Sequence, residues 1–164
     1  MEPRVKIIGC GMNCSGSMTV DGENAIKTAD MLIGAERILE GFESLDKEKF
    51  CSYDTRKIAD RICEEPDKTI AVLMSGDCGF FSGAQKLSAE LEKRGIPYKI
   101  IPGIASPVYL CSMLGLSWDR LRFVSFHGAK ANIVREVCSN EYVFALIGGE
   151  NDCGNVCRKL TEYG

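Results

Sequence analysis

The sequence predicts an α/β fold in which a parallel β-sheet is covered by helices. Short apolar runs of strand length alternate along the chain with segments whose apolar residues recur at helical spacing. These runs are apolar at consecutive positions, which is typical of parallel strands that are buried on both faces. Glycine-bearing loops follow several of the runs, at the sheet edge where such folds bind ligands.

The composition is that of an ordinary globular protein. The chain has 164 residues, of which 45% are hydrophobic and 26% are charged. This length suits one domain, or one domain and part of a second. The net charge of −3 gives no electrostatic reason to expect a nucleic-acid partner. Because the chain has no apolar run near 18 residues and no basic-then-apolar leader, we expect no membrane span, no secretory signal and a cytoplasmic location.

The nine cysteines are expected to be free thiols. They are odd in number and scattered, and a chain without a signal peptide is expected to stay in a reducing compartment. Cys10 and Cys14, and likewise Cys153 and Cys157, have a spacing that only weakly resembles a zinc site. His127 is the single histidine, so no His pair matches a Cys pair, and buried thiols that pack as small apolar side chains explain the cysteines better; we predict no bound metal.

The first apolar runs predict two buried strands and a helix. Residues 5–9 (VKIIG) end in glycine after a buried strand. Residues 21–30 predict a helix, because Asp21 can cap it and apolar side chains recur at helical spacing. Residues 31–35 (MLIGA) predict the second strand.

A helix, a strand and a second helix follow. Residues 54–65 predict an amphipathic helix that Asp54 or Thr55 can cap. Residues 69–74 (TIAVLM) predict the third strand. Residues 80–95 predict another amphipathic helix that stops at a glycine.

The same alternation continues to the end of the chain. Residues 97–103 predict a strand closed by Pro-Gly, and residues 105–115 predict a helix that tolerates Pro107 in its first turn. The later elements are two strands with a helix after each: strands at 121–128 and 142–149, helices at 129–140 and 151–164.

This order of elements predicts two α/β domains. We place an N-terminal domain at residues 1–114, a connector at 115–120 and the start of a second α/β domain at 121–164.

A dinucleotide-binding fingerprint is not supported. Gly9-x-Gly11 begins such a motif, but Cys14 occupies its sixth position. The motif also needs an acid at the end of a strand about 20 residues later, whereas Asp30 precedes its predicted strand.

Two glycine-bearing loops are better candidates for a ligand site. In the loop LMSGDCGFFSG (73–83), Gly76 and Gly79 allow close backbone approach. Asp77 could accept hydrogen bonds from ribose hydroxyls or an ammonium group, or it could cap the next helix. In the loop PGIAS, Ser106 has the same two alternatives. The residues alone leave both open.

Three polar side chains near the later strands have structural and functional alternatives as well. His127 follows a strand and precedes a glycine, a position that suits a catalytic role as well as a structural one. Lys130 and Arg135 could bind carboxylates, although exposed cations on a helix are usually a solvated face.

Five segments together resemble the tetrapyrrole methylases, and the resemblance covers nearly the whole chain. They are residues 9–19, 29–39, 73–83, 100–119 and 124–130. The resemblance implies two α/β domains with S-adenosylmethionine (SAM) in the cleft between them. Within the family, residues 114–128 are similar to the members that methylate a corrin precursor in cobalamin biosynthesis.

The resemblance implies roles for individual residues. SAM contacts are expected at Met12, Gly76, Asp77, Phe80, Ala105, Ser106, Leu146 and Ile147. Carboxylates of the corrin precursor are expected to meet Arg56, Lys130 and Arg135, and His127 is the candidate for proton handling. The family also implies a homodimer, and a separate or fused partner that decarboxylates and methylates carbon 15.

The chain departs from the family pattern in its first loop and in its length. Asn13 stands where the family has glycine, and Cys14 stands where it has an acid. Family members continue beyond the point reached at Gly164, so we expect a truncated second domain. The resemblance predicts a SAM-dependent methyltransferase, and an inactive fragment of one is the alternative that this length leaves open. The alternatives are a related methylase of RNA or protein, and a non-catalytic SAM-binding or assembly module.

Overall fold

The computed structural model describes residues 2–12, 16–126, 132–148 and 152–163. The chain divides into two compact units, Met1–Tyr109 and Leu110–Gly164. The division falls inside a helix, ahead of the predicted boundary at residue 114.

The first unit contains a parallel sheet of five strands. The strand order is β3-β2-β4-β1-β5, and every neighbouring pair is parallel. A parallel arrangement confirms the fold class that the sequence predicted, because each strand returns to the same edge through a crossover. The strands are β1 (Val5–Gly9), β2 (Met31–Gly34), β3 (Glu48–Cys51), β4 (Ile70–Met74) and β5 (Tyr98–Ile101).

Helices connect these strands, and two of them have side-chain caps. Thr19 accepts a hydrogen bond from the Gly22 amide at the start of α1, so the predicted cap at Asp21 is wrong. Asp54 accepts from the first-turn amides of α3. The helices are α1 (Val20–Thr28), α2 (Glu36–Leu39), α3 (Thr55–Glu64), α4 (Ala84–Lys93) and α5 (Ser106–Leu114).

Two apolar layers bury both faces of the sheet. Successive residues of a strand point to opposite faces, so Ile7 and Ile8 of β1 enter different layers. One layer packs against α3 and α4 through residues such as Ile62 and Leu87. The other contains Ile26 of α1 and residues of β2 and β4. This double burial explains why the strands read as continuous apolar runs.

Three short elements of the first unit were not predicted: strand β3, helix α2 and the 3₁₀ turn Glu40–Phe42 that follows α2. Strand β3 lies at the edge of the sheet, and its charged residues are exposed. It therefore lacks the apolar run that identifies buried strands. Helix α2 has only four residues, which is too short to show a helical period. Helix α4 begins at Ala84, so residues 80–83, predicted as helix, belong to the preceding loop.

The second unit contains a parallel pair of strands and two helices. Strands β6 (Leu121–Ser125) and β7 (Tyr142–Leu146) pair in register. Asn132 caps α6 (Ile133–Ser139) and Asp152 caps α7 (Cys153–Glu162). The predicted connector contains a 3₁₀ turn at Trp118–Arg120.

Candidate functional site

Three loops meet at the carboxyl edge of the five-stranded sheet. Strands β4, β1 and β5 are neighbours, so the loops that follow them are forced together. A Cβ atom on Gly103 would lie 2.3 Å from the Gly76 carbonyl oxygen, and one on Gly9 would lie 2.6 Å from the Gly103 nitrogen. Only glycine allows the three backbones to pack this closely.

A pair of hydrogen bonds joins the loop after β1 to the loop after β4. The Gly11 amide donates to the Gly76 carbonyl at 3.1 Å, and the Gly76 amide donates to the Gly11 carbonyl at 3.0 Å. Both residues have positive φ, +63° and +68°, which favours glycine. Next to them, the Met12 amide donates to the Ser17 hydroxyl at 3.0 Å, which fixes the backbone at Met12.

Asp77 joins the loop after β4 to the loop after β5. Its Oδ1 accepts from the Gly79 amide at 2.8 Å, and its Oδ2 accepts from the Gly103 amide at 3.1 Å. Helix α4 has Gly83 at its N-cap and no side-chain cap. The alternative that Asp77 caps this helix is therefore wrong, because the carboxylate bridges two loops instead.

The Gly76–Asp77 segment leaves room and acceptor capacity for a ligand. Gly76 is buried, and a Cβ built on it would meet no heavy atom of the described residues closer than the Ile104 carbonyl oxygen at 4.0 Å, so this part of the chain does not pack tightly against its Cα. A carboxylate offers about four lone-pair sites, and the two amide bonds of half-buried Asp77 use two. Hydroxyl and ammonium donors of a SAM-like cofactor therefore fit this segment.

Cys78 lies beneath the same loop and is chemically quiet. Burial, and secondly the negative charge of Asp77, raises the pKa of its thiol to about 12. Its Sγ lies 3.6 Å from the Ile101 carbonyl oxygen and 3.8 Å from that of Ile7. The thiol therefore fills space under the site rather than serving as a nucleophile.

Other predicted cofactor contacts lie at the same edge. Phe80 is half-buried in the loop after β4, and its ring stacks edge-to-face on Phe81 at 4.9 Å between centroids. Ala105 and Ser106 are half-buried after β5, where α5 begins. The loops thus bring together the six predicted cofactor residues of the first unit.

The remaining predicted residues are dispersed or lie outside the described residues. Arg56 is exposed in the first turn of α3, after β3. Leu146 and Ile147 lie at the carboxyl end of β7, where the Phe126 amide donates to the Leu146 carbonyl at 2.9 Å. Arg135 is exposed on α6 of the second unit.

Two predicted site residues, His127 and Lys130, lie outside the described residues, as does the altered stretch of the first loop at residues 13–15.

Sequence reasoning missed three residues that build the site. Gly9 and Gly103 form the tight contact with the loop after β4, at the Gly76 carbonyl oxygen. Thr19 caps α1 and also donates to the Pro102 carbonyl at 3.3 Å. The available signal was that each glycine ends a predicted strand, which places it at the ligand edge of the sheet.

Two classes of site find no support within the described residues. No group of three or more His, Cys, Asp or Glu side chains there could hold a metal ion. None of the helices in this part of the chain is both long and apolar enough to cross a membrane.

Comparisons with known proteins agree with this architecture. The chain is 32% identical over 161 residues to the cobalt-precorrin-7 C(5)-methyltransferase of Salmonella typhimurium, covering 96% of this chain and 78% of that protein. It is 28% identical to a probable enzyme of the same name from Methanocaldococcus jannaschii, covering 78% of this chain and 62% of that protein.

A solved structure shares the fold. The precorrin-6Y methylase of Archaeoglobus fulgidus matches with a TM-score of 0.65 at 22% identity, covering 87% of this chain and 72% of that chain. The family model of the Tetrapyrrole (Corrin/Porphyrin) Methylases matches residues 4–164. With glycine-lined loops at the carboxyl edge of a parallel sheet, this chain belongs to the tetrapyrrole methylase family.

Proposed function

We propose that this protein is a SAM-dependent C-methyltransferase that methylates carbon 5 of a corrin precursor, precorrin-6Y or its cobalt-containing counterpart, in cobalamin biosynthesis. The observation that carries the proposal is the Asp77 bridge between two loops, beside the loosely packed Cα of Gly76. The named C(5)-methyltransferase relative, aligned over 96% of the chain, supports this choice of acceptor.

The residues of the site need to bind and orient rather than form a covalent intermediate. SAM supplies an activated methyl group on a sulfonium, which an electron-rich ring carbon can attack directly. Gly76 gives close backbone approach, and Asp77 accepts hydrogen bonds from hydroxyl or ammonium groups. We assign the remaining cofactor contacts to Met12, Phe80, Ala105, Ser106, Leu146 and Ile147.

Roles on the acceptor side are assigned from the resemblance. His127 is proposed to take up the proton that the ring carbon loses after methylation. Arg56, Lys130 and Arg135 are proposed to bind peripheral carboxylates of the acceptor.

Titration calorimetry with SAM tests the proposal. We expect the protein to bind SAM and Asp77→Ala to weaken that binding about tenfold, because charge-assisted hydrogen bonds are lost. Asp67→Ala is the matched control, since Asp67 is an exposed acid in the turn before β4. If Asp77→Ala lowers only thermal stability and leaves SAM affinity unchanged, Asp77 has a purely structural role.

A methyl-transfer assay with the corrin precursor then separates the classes of function. SAM binding without transfer to the precursor would favour a methylase of another acceptor, such as RNA or a protein. Absence of SAM binding would favour a non-catalytic assembly module and contradict the proposal.

Several further proposals rest on the resemblance and the composition. We propose a cytoplasmic homodimer that binds no nucleic acid and works with a separate or fused partner acting at carbon 15. Sedimentation velocity would test the dimer. We also propose domains at 1–114 and 121–164 with a connector at 115–120, which limited proteolysis would test.

A further inference from the structure

Arg37 is held against the loop that forms the candidate site. Helix α2, which carries Arg37, follows β2, and β2 lies between β3 and β4 in the sheet. The Arg37 Nη2 donates to the Ser75 hydroxyl at 3.2 Å. Ser75 directly precedes Gly76, so this hydrogen bond holds the Arg37 guanidinium against the loop that carries Gly76 and Asp77.

The charge of Arg37 is not neutralised within the described part of the chain. Arg61 pairs there with Glu48 at 2.6 Å, and Arg94 pairs with Asp60 at 2.7 Å. Arg56 helps to lower the pKa of the Glu90 carboxyl, after the larger effect of its hydrogen bond with Lys93. Arg37 has no ion pair among the described residues, and its side chain is exposed.

Exposed aromatic residues follow the two strands that neighbour β2 in the sheet. Tyr53 follows β3 and is 90% exposed, and Phe81 follows β4 and is 58% exposed. Phe81 has φ of +46°, a conformation that is rare for an aromatic residue and is retained where the surroundings or a function require it. Strands β3, β2 and β4 are neighbours, so the segments that carry Tyr53, Arg37 and Phe81 all leave the same edge of the sheet. Exposed rings and a cation at one sheet edge suit a flat ring system with carboxylates at its rim.

We propose that Arg37, oriented by Ser75, is a specificity residue that binds a peripheral carboxylate of the tetrapyrrole acceptor. The inference rests on the proposed function and adds a residue that neither the motifs nor the family resemblance assigned. The guanidinium can bind a carboxylate through two parallel hydrogen bonds. One of its nitrogens is already fixed by Ser75, so less side-chain freedom is lost on binding.

Arg37 could instead bind the carboxylate of SAM, so the experiment measures the binding of both SAM and a tetrapyrrole. Uroporphyrin serves as a carboxylate-rich tetrapyrrole, and coproporphyrin serves as its partly decarboxylated counterpart. Binding of each porphyrin is measured by fluorescence quenching, and binding of SAM by calorimetry, on the whole chain. The variants are Arg37→Ala and Arg37→Lys. Lys27→Ala is the control, because Lys27 is an exposed cation in the last turn of α1, at the opposite end of the sheet.

We expect Arg37→Ala to weaken uroporphyrin binding about tenfold, which is the size of one charge-assisted pair. The loss should be smaller for coproporphyrin and smaller at high salt, where exposed charges are screened. Arg37→Lys should recover part of the affinity, since it restores the charge without the planar fork. SAM affinity and the Lys27→Ala variant should match the unaltered protein.

Three results would overturn the inference. They are equal uroporphyrin affinity of Arg37→Ala and the unaltered protein, loss of SAM affinity without loss of porphyrin affinity, and no porphyrin binding by the unaltered protein. In each case, SAM binding by the unaltered protein keeps the proposed function, so the two failures are distinguishable.

Discussion

Replacing Gly103 with alanine should destabilise the first unit by disrupting the junction of its three loops. The new Cβ would lie 2.3 Å from the Gly76 carbonyl oxygen, which is 1.1 Å short of an ordinary contact of 3.4 Å. It would also lie 2.6 Å from the Gly9 carbonyl carbon and oxygen. All of these atoms belong to backbone, so no side chain can rotate away and a loop must move.

The cost follows from these distances. Overpacking of this kind costs about 1–3 kcal/mol. A loop shift of this size would also break the bond from the Gly103 amide to Asp77, now 3.1 Å long, and a bond to a charged group contributes roughly 1.5–3 kcal/mol. We expect a total loss of about 2.5–6 kcal/mol in the free energy of unfolding, from the two effects together. At about 4 °C for each kcal/mol, the melting temperature should fall by roughly 10–24 °C.

Urea unfolding followed by circular dichroism measures this loss, and Gly83→Ala is the matched control. Gly83 has φ of −68°, and a Cβ there would meet nothing within 4 Å. The control should change stability by less than about 1 kcal/mol. If Gly103→Ala costs less than about 0.5 kcal/mol, the loops yield easily and the tight junction is not a structural requirement.

Two further predictions concern residues next to the junction. Thr19→Ala should lower the free energy of unfolding by about 1 kcal/mol, because the α1 cap is lost. Thr19→Ser keeps the hydroxyl and should retain most of the stability in the same urea assay. Equal losses for the two variants would argue against the cap. Iodoacetamide at pH 9 should label exposed Cys51 and Cys63 but not Cys78, as read by peptide mass spectrometry, because burial raises the Cys78 pKa to about 12. The Cys78 thiol ionises at a lower pH in the unfolded chain than in the folded protein, so the free energy of unfolding should fall as the pH rises from about 9 towards 12. Labelling of Cys78 in the native protein would contradict its burial.

Much of the fold could be read from local patterns. Runs such as residues 69–74 are apolar at consecutive positions because both faces of the sheet are covered. The exposed edge strand β3 escaped notice for the opposite reason, since its sequence EKFC carries charged residues towards solvent. The helix cap at Asp21 failed because Thr19, two residues earlier, offers its hydroxyl to the Gly22 amide.

The sequence predicted the sheet edge at which the candidate loops lie, but not the contacts between them. The loops at Gly76 and Ser106 follow strands, and parallel strands end at one edge, so their shared location followed from the topology. The role of Asp77 did not follow, because its partner Gly103 lies 26 residues away in the chain. Spacing alone describes local capping, and it is silent on hydrogen bonds between loops.

Local periodicity and residue types were enough to predict the α/β class, the parallel strands, the glycine-bearing loops at the carboxyl edge and the family to which these motifs belong. Three features became known only from the folded chain: β4, β1 and β5 are neighbours, Asp77 bridges the loops after β4 and β5, and Arg37 contacts Ser75. Strand order and contacts between loops arise from packing between segments distant in the chain, and no local pattern encodes such packing.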